Sequence, residues 1–111
     1  MAKLPSKVQD VIIELEKGLR DYYGDRYRGL LLFGSYARGT AWEGSDVDLL
    51  LLLKGPVDAV REILNVQPIK NPISLESDLV LSVIPASIED FERGETTFLR
   101  VIRKEAIPAA A

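Results

Sequence analysis

Five consecutive leucines, Leu49 to Leu53, follow directly on a pair of aspartates, Asp46 and Asp48, in a chain of 111 residues. An apolar run of that length suits a strand, and being apolar on both faces it belongs in the middle of a covered sheet. Asp46 and Asp48 stand at i and i+2, and alternate residues of a strand share a side, so the two carboxylates point together. An unpaired charge at the head of a buried strand costs several kcal/mol. A hard divalent cation such as Mg²⁺, which takes oxygen ligands, offsets that cost.

Gly34-Ser35, separated from Asp46 by ten residues, closes another apolar run, Leu30–Phe33. A Gly-Ser turn opening a helical turn presents free backbone N–H groups that suit a phosphate. The glycine lets the backbone approach a ligand closely, and the serine adds a hydroxyl. Arg38, in the same turn, is placed to touch a phosphate or to pair with an acid. Taken alone, a Gly-Ser turn or an Asp at a strand entrance is commonplace. A phosphate cradle and two metal carboxylates on consecutive elements read together as a nucleoside triphosphate site. Two-metal chemistry calls for a third carboxylate. Asp78 is the candidate, since it opens DLVLSVI as Asp48 opens DLLLLL. Glu76, on the same face by period two, is its rival. Trp42 and Glu43 read as rim, and Tyr36 is the tyrosine expected near ligand.

Hydrophobic residues make up 47% and charged residues 28%, an ordinary globular balance for one domain over residues 1–111 with no room for a second substrate-binding module. The net charge of −3, from 17 acids against 14 bases, argues against a nucleic-acid groove. Neither cysteine nor histidine occurs, which removes disulfides, thiolate metal sites and the commonest general base. Chemistry then rests on carboxylates, hydroxyls, Lys, Arg and oxygen-bound metal. No stretch approaches the ~20 apolar residues of a membrane helix, and MAKLPSK lacks the apolar core of a signal peptide. A soluble, cytoplasmic protein is expected.

Ser6 and Gln9 have capping-box spacing and open a helix that keeps its 3.6-residue period to about Tyr23, where Gly24 stops it. Strands are expected at Leu30–Phe33, Val47–Leu53 and Asp78–Ile84. A helical turn is expected at Ser35–Gly39, and helices near Val57–Leu64, Ser87–Phe91 (capped by Ser87 with Asp90) and Thr97–Ala106. Gln67–Ser74, with two prolines, reads as a loop. The order is α-β-(α)-β-α-β-α-α, an α+β arrangement with a small mixed sheet of three or four strands flanked by helices.

Gly34, Ser35, ten residues, then Asp46 and Asp48 resembles the signature of the DNA polymerase β-like nucleotidyltransferases, specifically the minimal nucleotidyltransferase (MNT) group. Ala37-Arg38-Gly39, Ser45 and the late segment SVIPASIEDFERGETTFLRVIRKEAI are also similar, so the resemblance runs from about Val8 to Ile107. It implies the polymerase β-like fold and transfer of a nucleoside monophosphate, AMP from ATP above all, to a hydroxyl with release of pyrophosphate. Asp46 and Asp48 would hold two Mg²⁺ ions, Asp78 the hydroxyl-activating one, and Gly34 and Ser35 the β/γ phosphates, with Arg38 beside them. The resemblance also implies a helical HEPN-type toxin as partner, with this chain as its antitoxin; some members adenylylate a tyrosine of the toxin. The competing readings are a stoichiometric antitoxin with vestigial chemistry and transfer to a small molecule. The aminoglycoside nucleotidyltransferases that do the latter carry an additional helical domain. Template-directed polymerisation fits neither the acidic charge nor the length.

Overall fold

The computed structural model of the protein describes residues 4–109. Its elements are α1 (Ser6–Tyr23), a 3₁₀ turn (Gly24–Arg26), β1 (Tyr27–Phe33), α2 (Gly34–Arg38), β2 (Val47–Leu53), α3 (Ala59–Ser77), β3 (Leu81–Ser87), α4 (Ile88–Arg93), α5 (Thr97–Glu105) and β4 (Ile107–Pro108). They build an α+β fold around a four-stranded mixed sheet of order β3-β2-β1-β4. β1 runs antiparallel to β2 and β4, while β2 and β3 are parallel. Among the described residues no helix is long and apolar enough to cross a membrane.

The leucine run is the central strand, and its two faces go to different layers. Val47, Leu49, Leu51 and Leu53 join Leu30, Leu32, Leu81 and Val83 against α1 and α3. Leu50 and Leu52 turn the other way, with Leu31, Phe33, Ile84 and Ala86, against Leu99 and Ile102 of α5. Fully burying each such leucine contributes about 1.5–3 kcal/mol. Asp48 is in phase with Leu50 and Leu52, so its carboxylate emerges on the α5 side. α1 buries Val8, Val11, Ile12, Leu15, Leu19 and Tyr23, the stripe that its period predicts.

Several local expectations give way. The Ser6/Gln9 capping box does not form. Pro5 takes the cap position, Ser6 falls inside the helix, and the Gln9 side-chain amide donates instead to Leu4 O at 2.7 Å. Gln67–Ser74 is not a loop: α3 runs straight through Pro68 and Pro72. A proline removes one helical hydrogen bond, and these two stand four residues apart on an exposed stripe. The carbonyls that lose partners, those of Leu64 and Pro68, therefore lie along one wet face. Because α3 continues to Ser77, the third strand starts at Leu81 rather than Asp78. Asp78 caps the helix in the left-handed conformation, φ 58°, which a short polar side chain tolerates. β1 begins at Tyr27, earlier than expected, with a register irregularity between Tyr27 and Gly29. The fourth strand, which the sequence reading leaves unplaced, is β4 at Ile107–Pro108.

Candidate active site

Gly34 lies at the β1–α2 junction with φ 74°, a conformation that L side chains rarely adopt. A β-carbon there would overlap Asp48 Oδ2, so the carboxylate of β2 is seated directly against the glycine backbone. The register explains why: Phe33 is paired with Asp48 across the antiparallel β1–β2 ladder, and Gly34 is the next residue. Ser35 is the second residue of the short α2, which Gly39 closes at φ 76° with its N–H on Ser35 O. The loop before Asp46 is pinned by two bonds: Trp42 N–H donates to Ser45 Oγ and Ser45 N–H to Trp42 O, each at 2.9 Å. The Trp42 ring, 72% exposed, lies over Gly44, where a β-carbon would strike it.

Asp46 is exposed and Asp48 half-buried. Burial pushes the Asp48 carboxyl above its ordinary range, the negative charge of Asp46 pushes it further, Arg38 pulls it down, and Glu105 pushes it up again. Two carboxylates that repel one another beside a glycine backbone form a donor set that a hard cation relieves.

Glu105 is the residue that sequence reasoning missed. It ends α5 and reaches back over the sheet, so that its Oε2 accepts Gly34 N–H at 2.8 Å and Arg38 guanidinium at 3.0 Å. Of the two options for Arg38, pairing with an acid is the one observed here. One signal was present: a helix C-terminus disfavours a carboxylate, so a glutamate there, after Arg103 and Lys104, needs a partner elsewhere.

Asp78 and Glu76 are exposed at the end of α3. Among the described residues, no three Asp, Glu, His or Cys side chains come together in a group able to hold a metal; Asp78 is not brought to Asp46 and Asp48. The cause is register. The β3 residue paired with Asp48 is Ser82, and the strand LSVIPAS carries no acid. Tyr36 is buried in the main core.

A model of the nucleotidyltransferase domain family matches residues 12–109. A Methanocaldococcus jannaschii protein named as a candidate protein adenylyltransferase is 35% identical over 78 residues, which is 70% of this chain and 78% of the relative. A second such protein from that organism is 45% identical over 47 residues, 42% of this chain and 32% of the relative, so the match spans about a third of its length. Among solved structures, a toxin–antitoxin crystallised with AMP-PNP shares the fold, with a TM-score of 0.61 at 22% identity over 91% of this chain and 71% of that one. The family match covers the whole sheet and both elements that carry Gly34 and Asp48: this chain belongs to the nucleotidyltransferase domain family.

Proposed function

We propose that this protein transfers AMP from ATP to a hydroxyl of a protein partner, a helical toxin of the HEPN type, and so acts as its antitoxin. The observation that carries the reading is the seating of the Asp48 carboxylate against Gly34, which joins phosphate cradle to metal ligands. The M. jannaschii relative named for protein adenylylation and the fold shared with a toxin–antitoxin crystallised with AMP-PNP support it. ATP as substrate makes the cytoplasm the proposed location.

In this reading Gly34 N–H, Ser35 and Arg38 bind the β and γ phosphates, and Asp46 and Asp48 hold Mg²⁺. Mg²⁺ is commonly bound by one or two carboxylates plus substrate phosphates and water, so a pair of acids fits it; Asp78 is left out of the assignment. Bound there, the ion neutralises charge on the transferred group. The partner's hydroxyl oxygen attacks the α-phosphorus, the bond to the bridging oxygen breaks, pyrophosphate leaves, and the hydroxyl proton passes to water. Positioning supplies much of the barrier reduction in such a transfer, and the acceptor geometry comes from the docked partner.

The test is incubation with radiolabelled ATP, Mg²⁺ and a helical HEPN-type protein encoded beside this chain, where one is found, followed by intact mass. One or more AMP increments on the partner support the enzyme. A tight complex without any increment sinks it and leaves the stoichiometric antitoxin. One observation favours that second reading: Ser82, not an acid, stands beside Asp48.

A further inference from the structure

Glu105 takes both of its recorded hydrogen bonds through a single oxygen. Oε2 accepts Gly34 N–H at 2.8 Å and the Arg38 guanidinium at 3.0 Å, while α5 supplies the carboxylate from the far end of the sequence. Leu99 and Ile102 anchor α5 in the apolar layer over Leu50 and Leu52, so packing delivers Glu105 to this position. The contact is half-open: the Glu105 side chain is 25% exposed and that of Arg38 53%.

A carboxylate oxygen held by a backbone N–H and a guanidinium takes the same donors that a phosphate oxygen would use. Gly34 has one N–H to give, and it cannot serve both acceptors at full strength. We infer that Glu105 is an internal competitor for the phosphate cradle, and that a nucleotide binds only as its phosphate displaces Glu105 from Gly34 and Arg38. The inference rests on the nucleotide-binding part of the reading above. Glu105 also adds its charge to the field at Asp48, and the same charge repels an incoming polyphosphate. The opposite role, a brace that holds Arg38 and the α2 turn in place for phosphate, predicts the opposite sign on removal.

Calorimetric titration separates the two. Glu105→Gln keeps the size and removes the charge; Glu105→Ala removes the acceptor as well, and melting curves check that both variants fold. Charge-assisted hydrogen bonds are about twice as strong as neutral ones, and losing a competitor of that kind tightens binding about tenfold. The expected result is tighter binding of Mg²⁺–ATP and of tripolyphosphate by both variants, with no change for adenosine, which has no phosphate. ATP binding by the wild type with no gain, or a loss, in the folded variants overturns the competition and leaves the nucleotide site standing. Failure of all three proteins to bind ATP overturns the site and the competition together.

Discussion

The Oδ2 atom of Asp48 lies so close to Gly34 that a β-carbon on the glycine would overlap it. The two residues therefore constrain each other. Gly34→Ala meets both this overlap and the positive φ of 74°, and the protein is expected to lose about 1–3 kcal/mol. For a domain of this size that lowers the melting temperature by roughly 4–8 °C per kcal/mol. ATP affinity should be lost with it. A folded Gly34→Ala protein that still binds ATP at wild-type strength would show that Asp48 lies outside the site.

Asp48→Asn should stabilise the fold while abolishing Mg²⁺-dependent nucleotide binding. The folded state resists ionisation of Asp48 because of burial and the adjacent Asp46 charge. An acid whose pKa is raised on folding lowers stability above that pKa, and the penalty vanishes as pH falls and the group protonates. The variant's advantage in melting temperature is accordingly largest near neutral pH and shrinks under acid. An equal gain at all pH values contradicts this account.

Glu62 carries the opposite dependence. Its carboxylate is 4% exposed; burial pushes its pKa up, but hydrogen bonds from Asn65, Tyr23 and Arg26 together outweigh burial and hold it below the ordinary glutamate range. Tyr23 O–H donates at 2.8 Å, Arg26 at 3.0 Å and Asn65 at 3.1 Å. The stability it contributes is full above the unfolded value of about 4.3 and is lost as pH falls through the lower folded value. Glu62→Ala strands the Tyr23 hydroxyl and should cost about 1–3 kcal/mol at neutral pH. Melting curves from pH 3 to 7 should show a shallower acid limb for the variant than for the wild type.

Pro68→Ala should restore an N–H beneath the Leu64 carbonyl in α3. A proline inside a helix costs about 3 kcal/mol relative to alanine, part of which returns through the stiffer unfolded chain. A net gain on the order of 1–2 kcal/mol in urea unfolding is expected. No gain would mean that the exposed Leu64 carbonyl is already fully served by water.

The fold was legible where a pattern was both periodic and long. The α1 stripe from Val8 to Tyr23 and the two-faced run after Asp48 fix a helix and a central strand without reference to anything distant. The Gly34-Ser35 and Asp46/Asp48 spacing put the glycine turn and the acids on neighbouring elements for the same reason. What escaped depended on tertiary context. Pro68 and Pro72 looked like a loop because their cost depends on which face they occupy, and α3 turns that face to water. Asp78 looked like a strand opening because the end of α3 and the β2–β3 register, which selects Ser82, are invisible locally. Glu105 was one acid among 17, and only the packing of α5 brings it to Gly34.

The strand order leaves β3 and β4 as the two outer strands, and each contains a proline, Pro85 and Pro108. A proline has no N–H to offer and interrupts any ladder that another chain tries to extend. A sheet built on five leucines is the kind of surface that polymerises when its rim is open. Here each outer strand carries such an interruption, and the leucine strand itself lies between β1 and β3, paired on both sides. A strand laid along β3 meets Pro85, and one laid along β4 meets Pro108.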